Sequence, residues 1–162
     1  MKTMQTDSLG FAERFTDLVV YRKARVLMRE VFFITKRFPR EEAYSLTDQW
    51  RRAARSIGAQ IAEAWAKRRY PKHFASKLTD SDGEQMESQH WTIAAFDDEY
   101  ITRDEAARLG GLAREIGRML GEMIAKAESF DGSKDSVLRE EPSGYFVNFQ
   151  DDHDFPPAFP ID

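Results

Sequence analysis

Two short stretches of this chain carry residue types that could do chemistry. Glu87-Ser88-Gln89-His90 sets a carboxylate and an imidazole one helical turn apart, the ligand spacing of dinuclear iron sites in helical bundles. Such a site needs a second Glu-x-x-His pair and two more inward glutamates, and no second pair exists here, so no metal is expected. The other stretch, Lys67-Arg68-Arg69-Tyr70-Pro71-Lys72-His73-Phe74, mixes cations with aromatic rings. Cations neutralise phosphates and exposed rings stack on unpaired bases. The same residues would be inert in a solvated corner with Tyr70 or Phe74 turned onto the core.

Other chemistries find little support. Of the remaining histidines, His153 stands among Asp151, Asp152 and Asp154, a weakly specified metal contact. The chain has no cysteine, hence no disulfide, no thiolate ligand and no Cys nucleophile. It has no Gly-rich phosphate loop and no nucleophile elbow. Neither an enzyme nor a bound cofactor is expected.

Charge is distributed unevenly over the 162 residues. The formal net charge is −4, yet residues 1–77 hold 17 Lys and Arg against 8 Asp and Glu, and residues 78–162 hold 7 against 20. The densest basic run is Arg51 to Lys77, with eight cations (Arg51, Arg52, Arg55, Lys67, Arg68, Arg69, Lys72, Lys77) against Glu63 alone. Residues 130–162 carry 8 acids, 2 bases and four prolines, the composition of a flexible acidic tail. The chain opens without a signal-peptide core and contains no apolar run long enough to span a bilayer, so a cytoplasmic protein without membrane contact is expected.

These residues need elements to position them, and the apolar spacing supplies four helices. Val20, Ala24, Leu27, Val31, Ile34 and Phe38 recur at steps of four and three, predicting a helix from Asp17 to Phe38 with Thr16 as N-cap. A second, capped by Ser45, should run to about Arg69, with Trp50, Ala53, Ala54, Ile57, Ile61, Ala64 and Trp65 in one inward arc. Alanines 59, 62 and 66 on its back suit a subunit contact, or simply helix propensity. The third should start at Pro71 and present Leu78, Asp82, Met86, Gln89, Ile93, Phe96 and Tyr100 as its seam. The fourth opens on a Thr102/Glu105 capping box and carries Leu109, Leu112, Ile116, Met119, Leu120, Met123, Ile124 and Ala127. Gly110, Gly111, Gly117 and Gly121 within it suggest close helix approach or mobility. Short connections make successive helices antiparallel neighbours: an all-α, up-down four-helix bundle over residues 15–129, with an N-terminal extension at 1–14 and the tail at 130–162.

Three ordered blocks bring a family into view: Asp17-Leu18-Val19-Val20-Tyr21-Arg22-Lys23-Ala24, then Leu46-Thr47-Asp48-Gln49-Trp50-Arg51-Arg52-Ala53-Ala54-Arg55-Ser56-Ile57, then Gln60-Ile61-Ala62-Glu63-Ala64. Together they resemble the four-helix-bundle, or 23S rRNA intervening-sequence, proteins over roughly Phe15 to Lys126. The last block departs from that family's usual Asn-Ile-Ala-Glu-Gly. The resemblance implies a ring-shaped homopentamer and no catalytic residues. It also implies a distant similarity to the accessory variability determinant of diversity-generating retroelements, a basic pentamer that binds nucleic acid. The family name describes where some of the genes lie, within ribosomal RNA intervening sequences, which suggests RNA association.

The reading that follows is a non-enzymatic, oligomeric bundle binding RNA or single-stranded nucleic acid, RNA or DNA. Its expected contacts are Arg51, Arg55, Lys67, Arg68, Arg69, Tyr70, Lys72, His73 and Lys77. The rival is a protein-interaction scaffold whose charges serve assembly or a protein partner.

Overall fold

The computed structural model describes residues 12–130 and contains α1 (Val19–Thr35), α2 (Leu46–Ala66), α3 (Pro71–Asp97) and α4 (Arg103–Ala125). Short 3-10 turns occupy Phe15–Asp17, Arg40–Glu42 and Ala127–Phe130, and the described residues include no strand. The expected extension, apart from residues 12–14, and the expected tail, apart from Phe130, lie outside the described residues. Each helix packs on its sequence neighbours and α1 closes on α4, so the architecture is the up-down four-helix bundle. One end carries the α1–α2 and α3–α4 connections, tied by Phe38 against Tyr100 (ring centroids 5.2 Å apart) and by Tyr100 Oη donating to Glu42 Oε1 at 3.1 Å. The opposite end carries the α2–α3 corner and the end of α4.

The apolar periods of α1, α2 and α4 place their core faces correctly. Five of the six expected seam residues lie in α1 and are buried, the sixth, Phe38, is buried just past its end, and Trp50, Ala53, Ala54, Ile57, Ile61 and Ala64 of α2 are buried too. Trp65, Leu112 and Ile124 are half-buried at the edge.

The expected seam of α3 is out of phase. Its buried line is Phe74, Leu78, Ser81, Gln85, Ser88, Thr92 and Ala95, whereas Met86 and Ile93 are 59% and 60% exposed. Hydroxyls can occupy this line because each finds a partner, across the tight α2–α3 seam for the serines and within α3 for Thr92. Ser81 Oγ donates to the Ile57 carbonyl (3.0 Å), Trp50 Nε1 donates to Ser88 Oγ (3.0 Å), and Thr92 Oγ1 donates to the Ser88 carbonyl (2.8 Å). A satisfied buried hydroxyl costs little, so polarity here does not mark the outside.

Two expected caps differ as well. Ser45 makes no side-chain cap, and Glu42 Oε2 instead accepts from the Leu46 N–H at 3.1 Å. Thr16 does not cap α1; Leu18 is its N-cap residue, and the buried Asp17 carboxylate fixes the approach by accepting from the Glu13 and Arg14 N–H groups (3.0 and 2.8 Å). The Thr102/Glu105 box forms in both directions. The Arg37 guanidinium beside Glu105, with the Thr102 N–H, holds that carboxyl below its ordinary range. α3 ends in a Schellman turn, Tyr100 N–H to the Ala95 carbonyl and Glu99 N–H to the Phe96 carbonyl, with Glu99 left-handed at φ 61° where glycine is usual.

Of the four glycines in α4, only Gly117 lies against another helix. A Cβ there would stand 2.5 Å from Gln85 Nε2, and the Gln85 amide is held by bonds to Asp82 Oδ1 (2.8 Å) and from Gln89 (2.6 Å). At Gly121 a Cβ would meet nothing within 4 Å. Gly117→Ala is therefore expected to lose about 1–3 kcal/mol by overpacking, and Gly121→Ala to gain up to about 1 kcal/mol of helix propensity. Chemical denaturation of both variants checks this; shifts of the same sign contradict the close-approach account.

Candidate nucleic-acid interface

Fold geometry divides the basic run of Arg51 to Lys77 into two places. At a rise of 1.5 Å per residue, Arg51 and Arg55 stand about 20 Å along α2 from Lys67. Arg69, Tyr70, Lys72 and His73 are exposed at the α2–α3 corner, where Pro71 opens α3 and turns the chain. Tyr70 is 65% exposed, its ring edge-on to His73 with centroids 6.1 Å apart, while Phe74 is fully buried and caps the core. Arg68 lies over the Trp65 ring at 4.5 Å and donates to the Trp65 carbonyl at 3.0 Å.

Carboxylates engage two of the expected cations. Lys77 bridges Glu63 (3.1 Å) and Asp80 (3.2 Å), and Lys67 reaches the same Glu63 at 3.4 Å. These contacts raise the Lys77 pKa and lower that of Glu63, each mainly through their shared hydrogen bond. Lys77 thus acts chiefly within the fold, joining α2 to α3.

Arg51 faces α1. Its Nε donates to Thr35 Oγ1 at 2.7 Å and its NH2 to the Phe32 carbonyl at 3.3 Å, tying the last turn of α1 to α2. Burial, and then the neighbouring Arg55, push its pKa below the ordinary arginine value. Around the Phe32 ring stand Lys36 (4.8 Å), Arg51 (4.8 Å) and Arg55 (6.0 Å), and around the adjoining Phe33 ring stand Lys36 (4.9 Å) and Arg29 (5.7 Å). Beside this cluster a groove of about 300 Å³ runs between α1 and α4, crossed by the Arg37–Glu105 and Arg108–Glu30 ion pairs.

α1 contributes residues outside the expected set, and their signal stands in the sequence. Val19 to Phe38 contains six cations against Glu30 alone, a density close to that of the Arg51–Lys77 run. At 100° per residue, Arg22, Arg25, Arg29, Phe32, Phe33 and Lys36 fall in an arc of about 100° opposite the buried seam. The outer face of α1 is therefore a cation–aromatic stripe along the whole helix, and Arg51 and Arg55 widen its upper half.

The Glu87-x-x-His90 pair is engaged otherwise: Glu87 Oε1 accepts from Trp91 Nε1 at 3.0 Å, and the His90 ring rests on Trp91 with centroids 4.7 Å apart. Among the described residues no three acidic or histidine side chains converge on a metal-sized site, and no helix is long and apolar enough to cross a membrane.

Residues 16–122 match the family model described as 23S rRNA-intervening sequence protein. Among solved structures, the chain is similar to a protein of unknown function from the S23 ribosomal protein family of Bacteroides thetaiotaomicron, determined at 1.70 Å. The TM-score is 0.58 at 25% identity, covering 65% of this chain and 98% of that one. No curated protein matches significantly.

Proposed function

We propose, given that this chain belongs to the 23S rRNA-intervening sequence protein family, that it is a non-enzymatic cytoplasmic protein binding RNA or single-stranded nucleic acid along its basic surface. One observation carries this reading: Arg29, Lys36, Arg51 and Arg55 gather around Phe32 and Phe33 at 4.8 to 6.0 Å on the outer α1–α2 face. Like charges kept close cost free energy in the absence of a ligand, and a polyanion relieves that cost by neutralising them. Phe33 and Tyr70 offer exposed ring area on which bases can stack, and the corner cations Arg69 and Lys72 extend the contact downward. Arg51 then serves mainly to hold α2 against α1, with Arg55 the outward partner.

The test is binding of a fluorescent single-stranded RNA of mixed sequence across a salt series. Affinity should fall linearly on a log–log plot, with a slope of about −0.7 per phosphate neutralised. No binding at 50 mM salt, or binding indifferent to salt, rejects the reading.

A second reading, assembly through protein contacts, is favoured by Met86 and Ile93, two exposed apolar side chains seven residues apart on α3. Packing of that face on another subunit would give the homopentamer that the family resemblance implies, and would multiply the basic surface fivefold in one particle. The mass of the purified assembly, taken with its ultraviolet absorbance ratio, reads oligomer and bound nucleic acid together.

A further inference from the structure

Two helix faces point away from the rest of the protomer and share one spacing. On α3, Thr79, Gly83, Met86, His90, Ile93 and Asp97 recur at steps of four and three, and all are exposed. On α4, Ala107, Gly111, Arg114, Arg118, Gly121 and Ala125 recur at the same steps, all exposed except the half-buried Gly111. At 100° per residue each set fills an arc of about 80°, the narrow seam of a helix that packs lengthwise on another. The two seams are complementary in shape. α3 projects Met86 and Ile93, whereas α4 offers small residues at its two ends and arginine stems between them. A helix-interior glycine costs about 1 kcal/mol relative to alanine, yet a Cβ at Gly83 would meet nothing within 4 Å and one at Gly111 only the Arg114 guanidinium. Neither glycine makes room for a helix of its own protomer. The seams are complementary in charge as well: Asp82, Glu87 and Asp97 stand on or beside the α3 seam, and the α4 seam carries two arginines and no acid. Arg118 is paired with Glu122, while Arg114 has no carboxylate partner among the described residues. Pairing α3 with a second α3 would gather the acids against one another, and pairing it with α4 sets them against arginines.

We propose that α3 of one copy packs lengthwise on α4 of the next, with Ile93 seated between Ala107 and Gly111 and Met86 lying along the stems of Arg114 and Arg118. The register follows from the protomer. Gln85 stands level with Gly117 where α3 and α4 touch. Ile93, eight residues further along α3, is therefore level with residue 109 of the antiparallel α4, between Ala107 and Gly111. Met86 is level with residue 116, between Arg114 and Arg118. Copies related by rotation about an axis parallel to the helices keep the same levels, so the same residues meet across the contact. This inference rests on the assembly reading and gives it a direction: each copy uses a different face on either side, and a head-to-tail contact repeated by a closing rotation makes a ring. Every copy is then held twice, which offsets the small area of one helix pair. Because α3 and α4 are neighbours in the bundle, α1 and α2 lie on the far side, and their basic face stays uncovered.

The full-length chain has no cysteine, so paired thiols can be introduced against a clean background. A disulfide forms only where the two Cα atoms come within about 7 Å. Mild oxidation of I93C/A107C should give a ladder of covalent multimers on a non-reducing gel, while I93C alone and A107C alone stay at the single-chain mass. Linkage of I93C to itself means that α3 pairs with α3 and overturns the proposal. A double variant that stays at the single-chain mass, when the native mass of the parent is a multiple of it, also overturns the proposal and leaves the assembly reading standing. A parent of single-chain mass at every concentration overturns both. Ile93→Asp, placed at an exposed position, should bring the native mass down to one chain with the helix content unchanged; retention of the full mass removes Ile93 from the contact and rejects the assigned register.

Discussion

Trp50→Ala is expected to remove a large share of the stability of the bundle. The indole is fully buried at the α2–α3 seam beside Phe38, and its N–H is spent on Ser88 Oγ at 3.0 Å. Truncation loses the transfer free energy of a large aromatic and leaves a cavity that the two helices fill only in part, about 3–5 kcal/mol. A domain has only about 5–15 kcal/mol in total. Urea unfolding should show a sharply lower midpoint with an unchanged slope. Ser88→Ala isolates the hydrogen bond: it strands the buried indole N–H and should cost about 1–3 kcal/mol. If both variants melt within 1 °C of the parent, Trp50 does not anchor the seam.

Reversing charge on the outer stripe, with Arg29→Glu, Lys36→Glu and Arg55→Glu together, is expected to weaken single-stranded RNA binding about 100-fold at low salt. It should also make the salt slope shallower by about 2, from 0.7 for each of three phosphates released. Arg51 is left in place because its bonds to Thr35 and the Phe32 carbonyl hold the fold, and its loss would confuse binding with stability. Tyr70→Ala is the contrasting variant: losing a stacking ring should cost about 1–3 kcal/mol of binding with the salt slope unchanged. Unaltered affinity in the triple variant would remove the α1–α2 face from the interface. Unaltered affinity in Tyr70→Ala would confine base stacking to that face.

The blocks that carry the family resemblance are explained mostly by packing. Asp17 fixes the entry to α1, Trp50 and the alanines fill the α2–α3 seam, and Arg51 ties two helices together. Those residues are needed to form the bundle whatever the bundle does. Any division of labour among relatives would then be written on the solvent faces, where stability does not constrain the side chain.

The sequence by itself determined the four helices, their order, and three of the four core faces, because a long apolar period can be satisfied only by burying one side of a helix. It also determined that the basic residues lie in the first half and the acidic ones in the second. Tertiary structure decided the phase of α3, since whether a serine is affordable inside depends on a donor or acceptor contributed by another helix. It decided, too, which cations meet carboxylates: Lys77 is close to Glu63 only because α2 and α3 fold back on each other. And it assembled the α1–α2 cation–aromatic cluster from residues as distant in sequence as Arg29 and Arg55, a juxtaposition invisible to spacing within any one segment because it is created by the packing of two helices.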